Sequence, residues 1–181
     1  MAGTFIIRGA ALDDVGPLRE LIRESVVGLS RGDYSAEQLS SALSHLFGVD
    51  TRLIDDGTYF VVEESGVLRP AACGGWSRRR TLFGGDQYAD RSDDRLDLAT
   101  EAARIRAFFV HPDRARRGIG AMLIRACEDA ARAEGFRRME LMATLTGIPL
   151  YERAGFVRKE PVELTLPDGV RFPLVRMEKA L

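Results

Sequence analysis

The chain has 181 residues, 45% hydrophobic and 29% charged, which suits a single folded core and excludes wholesale disorder. Its formal net charge of -1 lacks the basic excess of a nucleic-acid surface, so no nucleic-acid partner is expected. Cys73 and Cys127 form neither a metal-binding spacing nor a disulfide framework, and no run approaches the roughly 20 apolar residues of a membrane span. The expectation is a soluble cytoplasmic protein with no metal site and no membrane partner, built as one domain over 1–181.

Phe5 to Ile7 reads as an opening strand. Asp13 or Asp14 then caps a helix whose Val15, Leu18, Leu21 and Ile22 share one face, with Pro17 tolerated in the first turn. A second helix starts at Ser35, with Gln38 as its capping-box partner, carries Leu39, Leu43, Leu46 and Phe47 on one side, and stops at Gly48. Thr58 to Glu63 and Ala71 to Arg79 read as a hairpin about Ser65-Gly66. Thr81 to Thr100 turns polar and rich in glycine and aspartate, a long loop of the kind that is functional or mobile.

Strand character returns at Ala103 to Val110. A helix follows over Ile119 to Glu134, with Leu123, Cys127 and Ala130 inward and Gly135 ending it. Met139 to Ala143 is another strand and Ile148 to Ala154 a short helix. Two final strands from Phe156 onward join at Pro167-Asp168-Gly169, and Pro173 marks an edge or bulge in the last one. The economical architecture is a mixed sheet with helices on its faces.

The segment "FFVHPDRARRGIGAMLIRACEDAARAEGF" runs an apolar strand into Arg-Arg-Gly-Ile-Gly and straight into a helix. Unpaired N–H groups and a partial positive charge at a helix start attract an anion. Gly118 and Gly120 remove side chains that would block a pyrophosphate. Ile119 and Ala121 offer amides, and Arg116 and Arg117 stand beside the cradle. The competing reading is a plain tight turn. Neither a full Gly-x-Gly-x-x-Gly nor a Gly-Lys-Ser/Thr is present.

With "GIPLYERAGF" after it, the segment from Ala103 onward resembles the GNAT superfamily of acetyl-CoA-dependent N-acyltransferases. The resemblance implies an α/β (α+β) fold with a mixed, mostly antiparallel sheet of about seven strands flanked by about four helices. It implies acetyl-CoA as cosubstrate, with the Gly118 turn holding its pyrophosphate and the backbone of Phe108, Phe109 and Val110 pairing with its pantetheine arm. Ala115 stands where relatives carry Gln or Arg.

Tyr151 matches the tyrosine that protonates the departing thiolate, and a backbone N–H near Val110 is the implied oxyanion donor. Thr144 occupies the place of a cofactor-contacting asparagine. Relatives' glutamate base corresponds here to Arg104. Glu101 or Asp97 acting through water, or His111, remain candidates, as does no dedicated base.

Tyr34, Trp76, Glu101 and the loop from Thr81 to Thr100 are the candidate acceptor walls. Six loop acids between Asp86 and Glu101 suit a cationic amine or form a plain hydrophilic loop. The activity so implied is acetyl transfer to a primary amine of a small molecule or peptide. A module that senses acyl-CoA without turnover and a protein acetyltransferase are the alternatives. The last hairpin offers an edge for a homodimer.

Overall fold

The computed structural model describes residues 4–181, so residues 1–3 of the expected domain lie outside the described residues. Seven strands form one sheet: β1 (Phe5–Gly9), β2 (Tyr59–Glu64), β3 (Pro70–Ser77), β4 (Ala103–Val110), β5 (Arg138–Thr144), β6 (Val157–Thr165) and β7 (Arg171–Ala180). Their spatial order is β1-β2-β3-β4-β5-β7-β6, antiparallel except for β4 beside β5. Five α-helices accompany them: α1 (Val15–Leu29), α2 (Ala36–His45), α3 (Thr51–Asp55), α4 (Ile119–Ala133) and α5 (Ile148–Arg153).

The expected elements recur in the expected order, with one addition. α3 has too few residues to show an apolar repeat, and it raises the helix count from about four to five. The capping box of α2 forms as read: Gln38 N–H donates to Ser35 Oγ at 3.1 Å, and Ser35 N–H to Gln38 Oε1 at 3.0 Å. α2 ends at His45, three residues before the expected stop at Gly48.

The edge assignment needs correction. β7 lies between β5 and β6, so β6 is the outer strand, with Val157 61% exposed. Pro173 pairs with Glu163 of β6 just past Leu174, where pairing with β5 ends. Its missing N–H therefore breaks no ladder on the β5 side.

The sheet carries cores on both faces. Leu18, Leu21 and Ile22 of α1 and Leu39 and Ala42 of α2 pack over Tyr59, Val61 and Phe172 on one face. Ile124, Cys127 and Ala131 of α4 cover Trp76, Ile105, Met139 and Leu141 on the other. The site arises where β4 leaves β5. Their pairing comprises Ala103 with Met139 and Arg104 with Glu140, after which the strands part.

Candidate active site

Beyond Arg104, β4 has no partner on its β5 side, so its backbone groups face an opening that runs through the sheet. A pocket of about 80 Å³ occupies it, with Phe47 and Phe83 on one face, Tyr151 on the other, and Ile105–Phe109 and Thr144 between. A kink reshapes β4 at this point. Ala107 has φ +52°, and the register against β3 slips between Cys73 and Gly75.

A second, more open cleft of about 570 Å³ lies between α1 and α2, lined by Arg19, Arg23, Ser40, Ser44 and Gln87. Phe47 and Gly48 border both spaces.

The turn before α4 is built for a left-handed backbone. Arg116 has φ +62°, and Gly118, the N-cap, has φ +83° with no side-chain cap. The first amides of α4, from Ile119, Gly120 and Ala121, thus have no partner inside the helix. A Cβ built on Gly118 meets nothing within 4 Å, whereas one on Gly120 would lie 2.8 Å from Leu150 Cδ2. The two glycines divide the work: Gly118 keeps the helix mouth open, and Gly120 lets α5 close on α4. Gly120 therefore has a packing reason of its own beside the expected role at the phosphate.

Arg116 is exposed and engages no acid. Arg117 donates to Glu64 at 2.9 Å and sits 4.6 Å over the Phe5 ring. Glu64 also pairs with Arg114. The Arg117 hydrogen bond, and then Arg114, hold the Glu64 carboxyl below the usual carboxylate range despite desolvation. An exposed cation beside uncapped amides fits an anionic group such as a diphosphate.

Tyr151 is 8% exposed and lies 6.3 Å from the Phe108 ring and 5.9 Å from that of Phe156. Burial, with the Cys127 thiol second, pushes its phenol well above the ordinary value near 10. Its hydroxyl has no protein hydrogen-bond partner among the described residues, so its proton is free for a ligand. Thr144 Oγ1 accepts from Gly147 N–H at 3.1 Å while lining the same pocket.

Phe109 packs edge-on against Phe47 at 5.8 Å. The implied oxyanion donor is a backbone N–H near Val110, and the Val110 amide itself donates to Ser25 Oγ at 3.2 Å.

Of the expected acceptor walls, the loop supplies Phe83 to the pocket and Gln87 to the cleft, whereas Tyr34, Trp76 and Glu101 sit elsewhere. The Tyr34 hydroxyl donates to the Pro173 carbonyl at 2.8 Å and accepts from Leu145 N–H at 2.8 Å, and its ring stacks on Phe172 at 4.3 Å. It is a clamp between the α1–α2 turn and the ends of β5 and β7. Trp76 is 1% exposed and packs against Phe136 on the α4 side. Glu101 pairs with Arg80 at 3.2 Å and accepts from Asp97 N–H at 2.8 Å, outside the pocket. His111 lies 3.0 Å from Glu24, and Arg104 pairs with Glu140.

Half of the loop acids are paired with arginines, Glu101 with Arg80 among them. Asp86 binds Arg91 at 2.8 Å, and Asp93 binds Arg52 at 2.9 Å. The loop itself is anchored by a pair that sequence reading missed. Arg106, 3% exposed, donates to Asp50 at 2.6 Å and to the carbonyls of Thr81 at 2.8 Å and Gly84 at 2.6 Å. Asp50, 1% exposed, also pairs with Arg91. Burial draws the Arg106 guanidinium down to about 10, still protonated at neutral pH.

Among the described residues no cluster of His, Cys, Asp or Glu is arranged to hold a metal ion, and no helix is long and apolar enough to cross a membrane.

Known structures share this architecture. A GCN5-related N-acetyltransferase from Rhodopseudomonas palustris is 20% identical with a TM-score of 0.70, covering 100% of this chain and 98% of that one. PaiA N-acetyltransferase from Thermoplasma acidophilum, in complex with coenzyme A, is 14% identical with a TM-score of 0.65, covering 98% and 99%. A ribosomal-protein-alanine N-acetyltransferase from Brucella melitensis is 16% identical with a TM-score of 0.63, covering 97% and 99%.

No curated protein sequence matches. The profile of the acetyltransferase (GNAT) family matches residues 24–156, from within α1 to the end of the α5 turn and so across the whole site. The chain belongs to the GNAT family of acetyltransferases.

Proposed function

We propose that the protein moves an acetyl group from acetyl-CoA to a primary amine of a small molecule or peptide by direct attack on the thioester. The observation that supports this reading is the parting of β4 from β5 at a pocket lined by the buried phenol of Tyr151, with the uncapped start of α4 packed through Gly120 against the neighbouring Leu150. The bound cosubstrate supplies the activated acetyl group. The coenzyme A complex of the PaiA relative supports that assignment.

The chain's own residues then have distinct tasks. The amides of Ile119, Gly120 and Ala121, with Arg116, bind the diphosphate. The unpaired edge of β4 at Phe108 and Phe109 accepts an extended arm as an added strand would. Phe47 and Phe83 exclude water from the reacting end. Tyr151 holds its proton at neutral pH and donates it to the sulfur as the C–S bond breaks, and the proton that the amine loses on forming the amide restores the phenol through solvent.

No carboxylate or imidazole lines the pocket, so the acceptor enters as free amine, by way of the cleft that shares Phe47 and Gly48. A peptide amine is the second form of acceptor, favoured by the openness of that cleft and by the ribosomal-protein-alanine relative.

The test is CoA release from acetyl-CoA across a panel of small amines and peptide N-termini, with wild type and Tyr151→Phe. The reading expects turnover that falls by about 10²–10⁴ in the variant while CoA affinity is kept. Binding without turnover on the whole panel would instead favour a sensing module.

A further inference from the structure

The kink in β4 is held from beneath by side chains that never reach the pocket. Ala107 adopts φ +52°, a left-handed backbone that alanine rarely takes. Its carbonyl is turned out of the ladder into the core, where an unpaired acceptor is unfavourable. The Tyr59 hydroxyl lies 3.2 Å from that oxygen and 3.2 Å from Cys73 Sγ, and Cys73 Sγ lies 3.9 Å from the same oxygen. Tyr59 is 1% exposed and Cys73 0%, so both reach that oxygen from the buried side.

The slip falls between the pairs Gly75–Arg106 and Cys73–Phe109. Gly74, opposite it, leaves room that a Cβ would fill 2.5 Å from the Phe108 ring. The kinked segment, Arg106 to Phe109, makes up most of the stretch Ile105–Phe109 of β4 that lines the pocket with Tyr151.

We infer that Tyr59, with Cys73 beside it, is a positioning residue for acetyl transfer: its hydroxyl fixes the Ala107 carbonyl and so sets how β4 presents its backbone to the reacting end. The inference rests on the acetyltransferase reading. Tyr59 touches no substrate. It acts through the peptide on either side of Ala107, and its phenol remains protonated because burial raises it well above its ordinary value. The diphosphate cradle at Gly118 is a separate element and β4 holds only the extended arm, so turnover should fall more than cofactor affinity.

The experiment compares wild type, Tyr59→Phe, Ala107→Gly and the double variant. Glycine accepts a left-handed backbone without help, so it should relieve the need for the hydroxyl. Tyr59→Phe should lower kcat about tenfold while the Kd for CoA stays within about threefold. Measured against Ala107→Gly, the same change should cost about threefold or less.

Hydrogen exchange of the 104–110 segment reads the kink with no substrate present. It should quicken in Tyr59→Phe and much less in the double variant. An unchanged kcat in Tyr59→Phe, or an equal loss in both backgrounds, overturns the inference. Should wild type itself show no turnover, the acetyltransferase reading fails, and exchange alone decides: equal protection in wild type and Tyr59→Phe overturns the positioning role as well.

Discussion

Replacing Asp50 by alanine tests the buried charge network beneath the long loop. Asp50 is 1% exposed and faces two guanidiniums, Arg106 at 2.6 Å and Arg91. Breaking a buried pair by deleting one partner costs roughly 3–5 kcal/mol, because the other charge is left uncompensated. Here the stranded cations keep partial company: Arg106 retains the carbonyls of Thr81 and Gly84, and Arg91 retains Asp86. The lower end, about 3 kcal/mol, is therefore expected, which corresponds to a Tm lower by about 6–12 °C for a chain of this size.

Calorimetry measures that shift. Trypsin digestion should show earlier cleavage at Arg91 and Arg95, since the loop loses its anchor. A second change, Arg106→Met, removes the stranded charge and should return part of the loss. A Tm within about 2 °C of wild type, with an unchanged digestion pattern, would show that the network contributes little and that the loop is held by other contacts.

Gly118→Val places a branched side chain where the backbone is left-handed and where a Cβ has no neighbour. The backbone strain of about 1–2 kcal/mol should lower Tm by roughly 2–8 °C, while CoA affinity by calorimetry should weaken at least about tenfold. Acid should destabilise the protein through Asp14 and Asp56, whose carboxyls are held low by Arg8 and Arg79. A depressed folded-state pKa gives stability that is present above the unfolded value near 4 and is lost as pH falls through the folded one. Urea midpoints should therefore drop below about pH 4, and Asp14→Asn with Asp56→Asn should flatten that drop.

The local signals were legible because local physics sets them. β4 spans Ala103–Val110 as its apolar run implies, α4 starts directly after Gly118, and Ser35 with Gln38 closes a capping box within one turn. What escaped depends on partners far apart in sequence. Tyr34 looks like a loop aromatic until Pro173 and Leu145 claim its hydroxyl. The Arg106–Asp50 pair joins residues 56 apart. The acids of the loop look like an exposed negative field, but Arg91 and Arg52 neutralise Asp86 and Asp93. Asp50 precedes α3 as a cap would, yet its carboxylate turns to Arg106 and Arg91, and the five residues of α3 are too few to show an apolar repeat.

Because β4 and β5 meet over only two residue pairs, the sheet itself is two plates joined along a short seam, with the helices on both faces bridging them. Four strands lie on one side of the seam and three on the other. A rod of alternating amides laid into the gap would act as mortar, stiffening the whole sheet while touching only its middle. Compounds that imitate a stretched peptide backbone should therefore brace this fold even when they carry no nucleotide.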